Sequence, residues 1–134
     1  MLKKDFISKY VEELGKMLTK LLDIEQFQEA VSQFDFYFDE MLHTYYKIDA
    51  NKLAILLEPN EERDLFLLNF EMKNKNILAF AKAANYFHAK GENEKVETIK
   101  KIIERINLVQ SDVFRFPTSE DLEVQKNLED IKNL

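Results

Sequence analysis

The chain has 134 residues, enough for one domain with a sizeable core, and 46% hydrophobic with 33% charged residues makes it globular rather than disordered. A net charge of −6 opposes nonspecific nucleic-acid binding, which needs clustered Lys and Arg, and the absence of cysteine excludes disulfides, thiol catalysis and cysteine metal sites. No apolar run reaches the roughly 18 residues of a membrane span. Nor does an uninterrupted apolar core follow Lys3 and Lys4 as in a signal peptide.

With two glycines and two prolines, the sequence has little material for β-turns. The expectation is a cytoplasmic, all-α protein with a single helical domain over residues 1–134.

The first helix is predicted over about residues 4–22, burying Ile7, Tyr10, Leu14, Met17, Leu18 and Leu21, with Gly15 in its interior. Asp23 and Gln26 read as a capping box for the second helix. Its apolar stripe is Phe27, Ala30, Val31, Phe34, Phe38, Met41, Leu42 and Tyr45. At about 100° per residue, Phe36 and His43 fall on the opposite, polar side. In the middle region Asp49 caps a short helix around residues 52–57, which Pro59 and Asn60 break. Asn60 caps another helix through Leu65, Phe66, Leu68 and Phe70 to about Met72. Residues 73–76 read as a polar connector.

The strongest signal lies between Asn76 and Leu108. Asn76 offers an N-cap oxygen, Ile77, Phe80, Ala84 and Phe87 share one face, and five alanines surround that stripe. Gly91 stands where a left-handed residue ends a helix. Glu92 and Glu94 suit the positive start of the next one. That helix buries Val96, Ile99, Ile102, Ile103 and Ile106, and keeps Lys100, Lys101, Glu104 and Arg105 in water. The product is a helical hairpin with a tight corner. Beyond it, Ser111 and Asp112 open a loop carrying Phe114, Arg115 and Phe116. Pro117 and Ser119 lead to a final helix with Leu122, Leu128 and Ile131, whose sparse apolar face suits a terminal cap.

The central hairpin resembles a tetratricopeptide repeat, a helix–turn–helix unit of about 34 residues. Phe80, Ala83, Ala84 and Phe87 match its first-helix positions, and Gly91 and Val96 match its turn and second helix. Lys100 stands where the repeat has an aromatic, and no proline closes the unit. Leu14, Leu18, Leu21, Phe27, Ala30 and Phe34 repeat the pattern about two units earlier, which implies a degenerate middle unit over residues 44–76. The opening Met1, Leu2 and Asp5 with the Leu-rich first helix is similar to a family of short bacterial tetratricopeptide-like proteins of unknown function. The resemblance implies a stack of about three antiparallel helical hairpins with a C-terminal capping helix, and nothing about chemistry.

Candidate chemistry is sparse. His43 and His88 have no metal-binding spacing, so no metal, cofactor or catalytic residue is assigned. Residues 21–50 hold seven acids and one base, whereas residues 73–105 hold eight bases and four acids. That asymmetry serves folding, self-association or a charged partner.

Asp35 and Asp39 stand one turn apart beside Glu40, reading as a solvated acidic face. Phe36, among them, is either core between stacked layers or an exposed anchor for a partner. Asp35, Phe36, Asp39, Glu40 and His43 together form the candidate partner-binding surface. The function expected is a noncatalytic interaction module. It would bind a protein or peptide, basic in the simplest case, or a second copy, with no nucleic acid and no membrane. The alternatives are a small-molecule binder or enzyme with a Phe-lined pocket between helices, or a purely self-associating helical protein.

Overall fold

Small side chains let a helix be surrounded, and the helix richest in alanine is the one the others surround. The computed structural model describes residues 27–110 and 116–134, with the isolated helical positions Lys9 and Glu12. Its elements are α1 (Phe27–Tyr46), a 3₁₀ segment (Ala50–Leu57), α2 (Glu61–Leu67), a 3₁₀ turn (Phe70–Met72), α3 (Lys73–Ala89), α4 (Asn93–Asn107) and α5 (Ser119–Lys132). No strand occurs among the described residues. Lys9 and Glu12 are exposed; the rest of the expected first helix, and Asp23 with Gln26, lie outside the described residues.

Helix α3 is buried nearly all round, including Ile77, Leu78, Phe80, Tyr86, Phe87 and four alanines at 79, 81, 83 and 84. The alanines leave room for neighbouring backbones, and α3 packs most closely on α4 and next on α5. Toward α1 large rings intervene. Phe34 stacks on Tyr86 at 3.9 Å, and Phe38 meets Phe80 and Phe87 edge-on at 6.2 and 5.7 Å. These rings set the spacing between α1 and α3. Helix α4 buries Val96, Ile99, Ile102, Ile103 and Ile106, as its periodicity predicts. Each contributes about 1.5–3 kcal/mol relative to exposure.

The corner between α3 and α4 closes on Gly91, at φ 78°. The Glu92 N–H donates to the Phe87 carbonyl at 2.9 Å and the Gly91 N–H to that of His88 at 3.0 Å. This pair of bonds is a Schellman termination, and the positive φ selects glycine.

Several expectations are corrected. Asn76 is not an N-cap: α3 begins at Lys73, continuing the preceding 3₁₀ turn, and Asn76 is fully buried inside it. Its side chain accepts from the Tyr46 hydroxyl and donates to the Phe66 carbonyl at 3.3 Å. Residues 73–76 are therefore helix, not connector. The helix capped by Asn60 ends at Leu67, because Asn69 caps a separate 3₁₀ turn by accepting from the Glu71 N–H. Leu65 lies on its outer side, 76% exposed. Thus the stretch expected to hold a middle hairpin has one seven-residue α-helix between 3₁₀ pieces. Helix α5 is capped by Thr118, in a reciprocal box with Asp121. Val124 and Ile131 are buried there while Leu122 is exposed. Leu122 stands two residues before Val124, roughly 200° around the helix.

Arg105 is not simply solvated either. Its guanidinium makes two 2.9 Å bonds to both Asp64 carboxylate oxygens and a third, at 3.1 Å, to the Leu56 carbonyl. This fork fastens α2 and the 3₁₀ segment to α4. On the other side of α3, Asn74 donates to Asp121, Lys75 pairs with Glu120, and Lys73 donates to the Val109 carbonyl. Much of the basic segment's charge is thus used inside the fold.

Two outcomes check this packing. Ala84 is fully buried, so Ala84→Leu should overpack α3 and lower stability by about 1–3 kcal/mol in denaturant melts. The Arg105 guanidinium holds the Asp64 carboxyl below its usual range, against an opposing push from partial burial. A depressed carboxylate stabilises above its unfolded pKa of about 3.9 and loses that contribution as pH falls through the lower folded value. The stability gap between wild type and Asp64→Asn should therefore be widest near neutrality and close below about pH 4.

Candidate functional site

Helix α1 divides its circumference three ways. Phe34, Phe38, Met41 and Leu42 face the core, with Tyr46 buried at the end of the helix. Asp35 and Asp39, four residues apart, occupy one edge and are half-buried. Beyond them, some 40–100° further round, Phe36, Glu40 and His43 are exposed. Phe36 is 63% exposed, which removes the core reading of that residue. Among the described residues its ring neighbour is Tyr37, edge-on at 5.4 Å. The five candidate residues thus form one continuous arc that turns from a helix contact at Asp35 to open solvent at Glu40.

The inner edge of the arc is tied to the hairpin corner. The Tyr86 hydroxyl donates to Asp35 Oδ1 at 2.8 Å and lies 3.2 Å from the Val31 carbonyl. Asp39 Oδ1 accepts from the Ala50 N–H at 3.2 Å, steadying the start of the 3₁₀ segment. The reading of Asp35 and Asp39 as a purely solvated face is corrected accordingly: each accepts a bond from another element. Burial raises the Tyr86 hydroxyl well above its ordinary range, and its bond to the Asp35 carboxylate, with the nearby charges of Asp35, Glu92 and Asp39, raises it further. Tyr86 is a proton donor here at any physiological pH.

A polar cavity of about 230 Å³ opens at this corner, between Asp35, Asp39, Asp49, Lys90 and Lys95, with Phe87 as an apolar wall. Both lysines are already engaged by Glu92, Lys95 at 3.0 Å and Lys90 at 3.3 Å, and Lys90 also lies 3.9 Å from Asp35. Partial burial pushes the Glu92 carboxyl up, but the two ammonium groups outweigh it and leave it below the usual range. The cavity is a corner of compensated charge. The phenylalanines that a ring-lined pocket would need, Phe34, Phe38, Phe80 and Phe87, are fully buried against one another.

His43 is exposed on α1 and His88 on the last turn of α3. Among the described residues no group of three His, Asp or Glu side chains is placed to hold a metal ion, and no helix is long and apolar enough to cross a membrane. Of the aromatic triplet, Phe114 and Arg115 lie outside the described residues, and Phe116 is 80% exposed. Tyr86, Lys90, Glu92 and Lys95 escaped the sequence reading of this site. Only the tertiary fold brings Tyr86 to Asp35, across 51 positions of chain. Comparison with known proteins gives no match to a family model, a curated protein or a solved structure.

The Tyr86 bond to a carboxylate is the main fastening of the arc. Tyr86→Phe should lower stability by about 1.5–3 kcal/mol, the range for a hydrogen bond to a charged group, in denaturant melts at pH 7. Phe34 stacking survives the change, so near-ultraviolet circular dichroism should remain native.

Proposed function

We propose that this chain is a noncatalytic interaction module, built as a tetratricopeptide-like helical stack, that binds a protein or peptide through the outer face of α1. The observation that carries the reading is Phe36, a large ring 63% exposed in the middle of a helix whose other phenylalanines with a described side chain are buried. An exposed aromatic loses little by staying in water alone, yet gains strongly when a partner covers it. Glu40 and the half-buried Asp39 flank it, and α1 contains no Lys or Arg. The flank favours a partner that brings positive charge beside an apolar contact, with the acids steering approach.

The noncatalytic part of the reading is supported by how the polar groups near α1 are spent. Asp35 and Asp39 each accept a hydrogen bond from a neighbouring element, and Lys90 and Lys95 are held by Glu92. Groups so engaged hold neighbouring elements together. The resemblance of the Asn76–Leu108 hairpin sequence to a tetratricopeptide repeat points the same way, as analogy only.

Phe36→Ala is the test. Because the ring is exposed, the melt should move by no more than about 0.5 kcal/mol, not by the roughly 3–5 kcal/mol of a buried phenylalanine. In affinity capture from the native host at low salt, wild-type bait should retain a partner that the variant bait loses. Equal retention by both baits would discard the α1 surface.

A further inference from the structure

Besides the exposed ring of Phe36, the structure holds a groove with an apolar floor, in a different place. Helices α4 and α5 leave a groove of about 230 Å³ whose floor is Ile103, Leu128 and Ile131. Its volume exceeds the roughly 150 Å³ of a cavity that takes up benzene, so it has room for a phenyl ring. Lys100 and Lys132 stand on the rim with Glu104, giving it a net positive charge. Lys132 is exposed, and Lys100 is paired at 3.6 Å with Glu97, whose side chain is 65% exposed. A pair so open to solvent yields readily to a better one.

We propose that the occupant of this groove is Phe36 of a second copy of this chain. The inference rests on reading Phe36 as a binding anchor and names its partner. The two surfaces are matched in size and opposite in the sign of their charge. One presents a ring with an acid one turn away, Glu40, and no Lys or Arg anywhere on its helix. The other presents an apolar groove with lysines on its rim. Residues one turn apart on a helix face lie about 5–6 Å from each other. With the ring seated in the groove, Glu40 therefore falls at the rim, within reach of a lysine head. Phe36 does not fill its own groove, since it is largely exposed. The ring and the groove are different patches, so the contact is heterologous: each copy offers one of each, and association runs head to tail unless the rotation closes a ring.

Sedimentation equilibrium at low ionic strength tests it. The wild-type mass should rise with concentration above the 15.9 kDa of one chain. Phe36→Ala, which has a groove but no ring, and the double variant Lys100→Glu with Lys132→Glu, which has a ring but a reversed rim, should each stay at one chain. Mixed in equal amounts they should give a species of twice the monomer mass and stop there, because one ring and one groove are then used. Gln125→Trp, which fills the groove from an exposed rim position, should behave like the double variant and covers the case in which charge reversal disturbs folding.

A wild type that stays monomeric, a Phe36→Ala variant that still associates, or a mixture that stays monomeric overturns the inference. If the wild type is monomeric yet retains a foreign partner through Phe36 in the capture experiment, the proposed function stands without self-association. If Phe36 matters in neither experiment, both fall.

Discussion

A single buried amide decides how the helices of this protein sit on one another. Hydrophobic burial has no direction, and a helix surrounded by alanine and phenylalanine can slide with little change in the area it hides. Asn76, in the first turns of α3, removes that freedom. Its carboxamide takes the Tyr46 hydroxyl from the end of α1 and gives to the Phe66 carbonyl in α2. A shift of α3 by one residue would strand the Asn76 amide and the Tyr46 hydroxyl away from water, at about 1–3 kcal/mol for each unsatisfied group. Burial supplies the stability, and the amide selects one arrangement among those that burial allows.

Around that fixed point the two sides of α3 differ in kind. Toward α4, small side chains and branched aliphatics bring backbones together. Toward α1, rings stand between the helices and keep them apart. The wider gap is what admits polar chemistry at its edge, where Tyr86 reaches Asp35. The arc proposed to meet a partner begins at that edge. Its position therefore follows from the use of phenylalanine on one side and alanine on the other.

The sequence made the long periodic elements legible because their evidence is local. The α4 face from Val96 to Ile106 and the Gly91 corner depend on spacing within one or two turns, and spacing is visible in one dimension. Asn60 and Asp49 were likewise readable as caps, since a cap needs only its own neighbours. Asn76 was misread for the same reason: an asparagine ahead of an apolar stripe has the local signature of a cap, and only the presence of Tyr46, 30 residues away, makes it interior. Phe36 was legible as a residue out of register, but its register did not say whether another layer covers it. Leu122 shows the reverse failure, an apolar residue that periodicity over a short helix places on the wrong side.

The last helix is fastened differently from the rest. Both α3 and α5 begin near one another, and each helix start carries a partial positive charge. Lys73 and Lys75 add to it on α3, whose first turn contains no acid. Glu120 and Asp121, in the first turn of α5, supply the missing negative charge across the gap. The end of the chain thus acts as the counter-charge for its most buried helix, beyond the apolar lid formed by Val124 and Ile131. Such a joint is weakened by dissolved salt at concentrations that leave alanine packing and the Gly91 corner untouched. Ionic strength therefore acts on the clipped joints, this one and the Arg105–Asp64 fork, and spares the part that is glued.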